Sequence, residues 1–288
     1  VHDSISTALQ KRGCRSKLPA TRRPRKSLGQ HFLRDRRIVH RIVDAADIQP
    51  DDIIVEIGPG RGALTKTIVE SASNVILIEF DADLAADLTE RYADDPSVRV
   101  THADARTLST ADVPEIGDRP YKVIGNLPYY AAAPIVRNLL EQAHQPELLV
   151  VMLQREVARE MSAQPGKMGL LSVATQLYAE PRTVCQAPPR AFNPPPKVHS
   201  TVIKLEVRDR PAVEFESVDS FFTLARAGFA APRKTLAGSL AVGFRKKPSD
   251  FTGLIQQADL DPRQRPATLS MDDWGALYAQ WHATESAA

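Results

Sequence analysis

Between residues 52 and 207 the chain alternates short, β-rich apolar runs with helical patterns, and this alternation restricts its fold more than any other property. Strand candidates fall at residues 52–57, 74–79, 98–102, 121–125 and 147–153, followed by 183–186 and 200–207. Helical patterns occupy 36–46, 63–71, 83–92, 134–144, 156–161 and 170–178. The early strands are apolar along most of their length rather than at every second position, as expected of a parallel sheet covered on both faces. Strand and helix in regular alternation predict an α/β doubly wound fold. After Val207 the pattern changes: Arg208-Asp209-Arg210-Pro211 reads as a boundary, and 217–227, 233–241, 250–258 and 271–281 all read as helices. The expected organisation is a basic, flexible extension over 1–25, an α/β domain over 26–208 and a small helical domain over 209–288.

The first strand runs into Glu56-Ile57-Gly58-Pro59-Gly60-Arg61-Gly62-Ala63. Glycines between a strand and a helix permit a tight turn and let a ligand approach the backbone closely. The second strand ends at Glu79, 21 residues after Gly58, where a carboxylate can accept from both hydroxyls of a ribose. The third ends at Asp104, placed to accept from an adenine amino group. Three strand ends thus supply contacts for an adenosine-containing ligand at the carboxyl edge of the sheet. Gly58, Gly60 and Ala63 also satisfy the dinucleotide fingerprint, so an NAD-binding enzyme has to be weighed. Glu56 argues against it, because a carboxylate under the turn repels a pyrophosphate but suits the ammonium group of S-adenosylmethionine.

The fourth strand ends in Gly125-Asn126-Leu127-Pro128-Tyr129-Tyr130, the most specific short stretch in the chain. An adenine amino nitrogen is a poor nucleophile because its lone pair is delocalised into the ring. Accepting both of its N–H bonds redirects that lone pair, and Asn126 with a backbone carbonyl beside Pro128 can do so. Proline stiffens the turn and restricts Leu127 to extended geometry, which aims the Leu127 carbonyl. Tyr129 offers a flat face for an extruded base. With a methyl donor that is already a strong electrophile, positioning and charge stabilisation carry most of the catalysis, and no metal is called for.

These residues resemble the KsgA/Erm/Dim family of rRNA adenine N6-dimethyltransferases. Asn126-Leu127-Pro128-Tyr129 is similar to the family's fourth motif, and Lys26-Ser27-Leu28-Gly29-Gln30-His31-Phe32-Leu33 to its N-terminal motif. The segment from Ala191 to Ser200 is similar to its late motif. The resemblance implies a Rossmann-like class I methyltransferase domain, a mostly parallel seven-stranded sheet, followed by a small C-terminal helical domain. It implies S-adenosylmethionine as cofactor, held by His31, Leu33, Gly58, Gly60, Glu79, Asp104 and Asn126, with Phe192 helping to hold the target base. Leu127 and Arg233-Lys234-Thr235-Leu236 favour the KsgA branch. That branch implies dimethylation of two adjacent adenosines near the 3′ end of small-subunit rRNA, a part in small-subunit assembly, and an immature 30S particle as partner. Ala131-Ala132-Ala133 departs from the polar run usual in the family and removes side-chain hydrogen bonds beside the site.

Charge is distributed unevenly. Eleven basic residues between Lys11 and Arg37 face the single acid Asp35, and a second basic cluster comprises Arg233, Lys234, Arg245, Lys246 and Lys247, then Arg263 and Arg265. Localised positive charge suits a polyanion, because each neutralised phosphate releases counterions. The two cysteines, Cys14 and Cys185, lie far apart and form no zinc spacing, which fits a reducing compartment. No apolar run approaches the ~20 residues of a membrane span. The acid-poor start resembles a transit peptide, but Pro19, Pro24 and the lack of amphipathic periodicity favour a cytoplasmic protein with a basic extension; a monomer is expected. The competing readings are an Erm-type enzyme acting on large-subunit rRNA, a mitochondrial relative doubling as a transcription factor, an RNA-binding assembly factor in which methylation is incidental, and the NAD-dependent enzyme.

Overall fold

A computed structural model describes residues 30–286. The basic extension, Cys14 and the first part of the N-terminal motif, residues 26–29, lie outside the described residues. A two-residue strand β1 (Phe32–Leu33) leads into helix α1 (Arg36–Ala46), whose apolar stripe Ile38, Val39, Ile42, Val43 and Ala46 is buried. Then follow β2 (Ile53–Ile57), α2 (Thr65–Ile68), β3 (Asn74–Glu79), α3 (Ala82–Arg91), β4 (Val98–His102), β5 (Tyr121–Asn126) and α4 (Ala132–Leu140). Next come β6 (Leu148–Gln154), α5 (Arg155–Met161), α6 (Leu170–Gln176), β7 (Ala179–Ala187), β8 (Phe192–Asn193) and β9 (Ser200–Val207). The chain closes with α7 (Val218–Gly228), α8 (Leu236–Phe244), α9 (Ser249–Gln257) and α10 (Met271–Ser286).

Seven strands form one sheet in the order β4-β3-β2-β5-β6-β9-β7. The first five run parallel; β9 is antiparallel to β6 and to β7. Because successive side chains in a strand point to opposite faces, each central strand feeds two cores. Ile53, Val55 and Ile57 of β2 join one buried cluster while Ile54 joins the other. In β6 the same division sends Leu149, Val151 and Leu153 one way and Leu148, Val150 and Met152 the other. This two-sided burial is why the strands read as continuous apolar runs.

The strand expected at 183–186 is longer, Ala179–Ala187, with a bulge between Thr183 and Cys185. It is a sheet edge whose alternate residues face water, so its polar half conceals it in the sequence. Helix α4 starts and stops earlier than the 134–144 pattern, α2 is shorter than 63–71, and α8 begins at Leu236 rather than at residue 233. In α8 the Thr235 hydroxyl accepts from Gly238 N at 3.2 Å and sets the helix start. The C-terminal helices share the core of one sheet face: Phe221, Leu240, Trp274 and Leu277 belong to the same buried cluster as Val55 and Val151. Residues 208–211 therefore mark a change of architecture across which the core continues. No helix of the described residues is long and apolar enough to cross a membrane.

Candidate active site

The carboxyl ends of β2, β3, β4 and β5 open into one cleft, also lined by Gln30, His31, Phe32 and Leu33 from the N-terminal segment. The turn after β2 places Gly58 and Gly60 at φ +68° and +57°, a region that side chains disfavour. A Cβ on Gly60 would also come within 3.2 Å of the Phe32 ring. Glu79, at the end of β3, clamps this turn: Gly60 N donates to Oε2 and Asp81 N to Oε1, each at 2.9 Å. Burial pushes the Glu79 carboxyl above its ordinary pKa, against the pull of these N–H groups. A carboxylate oxygen can accept a second bond, so Glu79 keeps capacity toward the cleft.

Glu56 lines the same cleft and is 1% exposed. Burial pushes its carboxyl up to about 8, countered by Thr65 and reinforced by the Glu79 charge. Neither Glu56 Oε2 nor Thr65 Oγ1 completes a hydrogen bond of good geometry. A buried carboxyl in this condition is an acceptor awaiting a donor or a cation.

Asp104 is engaged differently from the sequence expectation. Its Oδ1 accepts from Arg106 N and Nε at 3.0 Å, and its Oδ2 from Arg106 Nε at 3.0 Å and Nη2 at 2.6 Å. The guanidinium holds Asp104 below the usual carboxylate range. Nothing in a strand-end aspartate announces that an arginine two residues on will fold back over it.

The catalytic turn is built from parts of the chain far apart in sequence. Strands β1 and β8 pair antiparallel, Phe32 opposite Asn193 and Leu33 opposite Phe192. The His31 ring donates through Nδ1 to the Pro194 carbonyl at 2.8 Å and stacks on Tyr129, centroids 5.7 Å apart. Asn126 Nδ2 donates to the His31 carbonyl at 3.1 Å. A carbonyl can only accept, so this bond assigns the amide: NH2 toward His31, Oδ1 on the opposite side. Leu127 N donates to Met152 O at 3.1 Å, while the Leu127 carbonyl accepts no hydrogen bond from the described residues. The Tyr129 hydroxyl is bonded to Ser200 Oγ at 2.8 Å, and burial raises its pKa.

His31, Leu33, Gly58, Gly60, Glu79, Asp104, Asn126, Leu127, Pro128 and Tyr129 all line the cleft. Phe192 does not: its side chain is 3% exposed within the core that holds Leu33 and Val39. Phe192 of β8 pairs with Leu33 of β1 and packs in the core, outside the lining of the cleft. Ala131 and Ala132 are 2% and 0% exposed in the core, and Ala131 provides no side-chain cap to α4. The missing polar groups are thus replaced by packing. Sequence reasoning missed Ser200 as the anchor of Tyr129, and Gln30, which donates to Asp81 Oδ2 at 2.9 Å. Among the described residues no three His, Cys, Asp or Glu side chains converge as a metal site.

Comparison with known proteins adds three findings. The family model for ribosomal RNA adenine dimethylase matches residues 21–276. The chain is 41% identical to a ribosomal RNA small subunit methyltransferase A of Dehalococcoides mccartyi over 258 residues, covering 89% of this chain and 88% of that protein. It is 42% identical to the protein of the same name from Moorella thermoacetica, covering 88% and 91%. Among solved structures it resembles a dimethyladenosine transferase from Plasmodium falciparum, with TM-score 0.76 and 25% identity over 88% of this chain and 98% of that one. It also resembles the 23S rRNA methyltransferase ErmE, with TM-score 0.68 and 28% identity over 86% and 98%.

Proposed function

This chain belongs to the ribosomal RNA adenine dimethylase family, and on that premise we propose that it dimethylates N6 of two adjacent adenosines near the 3′ end of small-subunit rRNA, with S-adenosylmethionine as methyl donor. The observation that carries this reading is the orientation of Asn126. Its amide N–H is taken by the His31 carbonyl, which leaves Oδ1 as an acceptor, and the next carbonyl along the chain, that of Leu127, accepts no hydrogen bond from the described residues; both residues line a cleft with acidic strand ends.

The residues fit the cofactor. Glu56 offers an uncompensated buried oxygen to an ammonium group, and the clamped glycine turn lets a ligand lie against the backbone. Glu79 has lone pairs for ribose hydroxyls, and Asp104 is the acceptor for an adenine amino group. His31 and Leu33 close the wall. When bound, the cofactor supplies a sulfonium-activated methyl group.

The chain's own part is to bind, aim and polarise. Asn126 Oδ1 and the Leu127 carbonyl accept the two N–H bonds of the target amine, drawing its lone pair out of conjugation. Both acceptors are set before substrate arrives, so little reorganisation opposes the reaction. Tyr129 has His31 against its ring and Ser200 holding its hydroxyl, which leaves its remaining surface to stack on an extruded base. Phe192 supports from the core, backing the ribbon that carries His31.

The substrate in this reading is rRNA within an immature 30S particle, and the enzyme is a cytoplasmic monomer. Its units are the methyltransferase domain over 26–208, the helical domain over 209–288 that engages RNA, and the basic extension over 1–25. Arg233, Lys234 and Lys246 line a groove of the helical part, suited to phosphates. The Erm reading is weaker, since identity to the small-subunit enzymes is 41–42% against 28% to ErmE. Mass spectrometry of rRNA digests after incubation with protein and cofactor should find N6,N6-dimethyladenosine in small-subunit rRNA. Its appearance only in large-subunit rRNA would reverse the assignment, and RNA binding without any methylated base would favour the assembly-factor reading.

A further inference from the structure

The cleft contains one contact that the proposed function does not use and in part opposes. Each Asp104 oxygen already accepts two hydrogen bonds, all from Arg106. The Arg106 Nε–H is shared between the two oxygens, so three N–H groups of one residue take up most of the roughly four lone-pair sites of the carboxylate. One of the three donors is the Arg106 main-chain N–H, which survives any side-chain rotation; the guanidinium contributes the other two. That guanidinium is 42% exposed and is free of the core. Its central carbon also lies 6.0 Å from the ring of Phe80 and 6.0 Å from that of Tyr130, the far limit of a cation–π contact. Phe80 and Tyr130 are among the few large apolar side chains exposed among the described residues, at 46% and 53%.

We propose that Arg106 is an affinity-setting latch on the adenine end of the cleft, whose guanidinium competes with an adenine amino group for Asp104. The inference rests on the reading of the cleft as a site for an adenosine-containing cofactor. A planar cation held between a carboxylate and two exposed rings occupies the contacts that a planar base with an exocyclic amine would use. Adenine and guanidinium therefore compete for one acceptor. Once displaced, the guanidinium has Phe80 and Tyr130 within reach and keeps a favourable seat at the mouth. The latch is weak, because a partly exposed ion pair is strongly screened by water. It tunes cofactor affinity and exchange without blocking the site.

The test is calorimetric titration of S-adenosylhomocysteine into the full-length protein and its R106Q, R106K, D104A and R106Q/D104A variants, with circular dichroism to verify folding. The expected result is about two- to fivefold tighter binding by R106Q, with R106K between R106Q and wild type. D104A should bind about tenfold more weakly, and the gain from R106Q should vanish in the double variant. Binding by R106Q that equals or falls below wild type overturns the latch, as does a gain that persists without Asp104. A folded wild-type protein that binds no S-adenosylhomocysteine removes the cofactor reading itself, and the latch with it.

Discussion

Asn126 donates its side-chain amide to the His31 carbonyl at 3.1 Å, across 95 residues of sequence. The bond fixes the orientation of the amide and leaves its oxygen as the acceptor for a substrate. Asn126→Ala should lower kcat by about 10²–10³-fold while RNA affinity in filter binding stays within twofold. Asn126→Asp sets an oxygen against the His31 carbonyl and should be no better. Unchanged turnover in either variant would refute the polarising role.

Glu56 gives a pH prediction. Its carboxyl rises from 4.5 to about 8 in the folded protein, chiefly through burial. Between those values the folded chain holds a proton that the unfolded chain has released. The contribution to stability is therefore complete below pH 4.5 and is lost as pH rises toward 8. Urea midpoints measured across that range should fall with pH in the wild type and fall less in Glu56→Gln. An ammonium group seated beside Glu56 must expel the proton. Calorimetry of S-adenosylhomocysteine binding near pH 7, in buffers of different ionisation heat, should detect proton release that Glu56→Gln abolishes.

Tyr129 has separable functions in its ring and its hydroxyl. Tyr129→Phe orphans Ser200, which is fully buried, and should cost about 1–3 kcal/mol of stability with turnover reduced less than tenfold. Tyr129→Ala removes the stacking face and should raise KM for RNA far more than it changes the melting temperature. Equal kinetic losses in the two variants would contradict base stacking on Tyr129.

Phe192 tests position against resemblance. As a core residue it should cost about 3–5 kcal/mol on truncation to alanine, visible in denaturant titration. Phe192→Leu should recover most of that stability and nearly all of the turnover. If Phe192→Leu folds as wild type but loses activity, the ring reaches the base after all.

The basic extension makes the last prediction. Deleting residues 1–25 removes seven basic groups and one acid. RNA affinity should weaken and the slope of log K against log salt should flatten, with the modified nucleotide unchanged. Salt dependence identical to the full chain would make the extension a solvated appendage.

The sheet was legible because its inner strands are buried on both faces and their apolar runs admit few other interpretations. Gly58, Glu79, Asp104 and Asn126 were legible as strand ends, where α/β sheets place ligands. The edge strand β7 was read short because half its residues face water. Strands β1 and β8, two residues each, carry no periodicity and are defined only by their mutual pairing. The burial of Phe192 was hidden for the same reason: its partner Leu33 lies across the ribbon and far away in sequence. Arg106 over Asp104 is a local fold-back in a turn, where spacing says nothing about geometry.

The β1–β8 ribbon has a consequence for the order of assembly. Strands β2 to β5 and their acidic ends can form from the first half of the chain. The carbonyl that turns Asn126 belongs to His31, and His31 is itself held by Pro194, 163 residues later. A nascent chain therefore contains all of the cofactor-facing strand ends well before it contains Pro194, on which the seat of His31 depends. The bonds that aim the catalytic amide thus span nearly the whole length of the α/β part, and both of its ends have to be present for them to close.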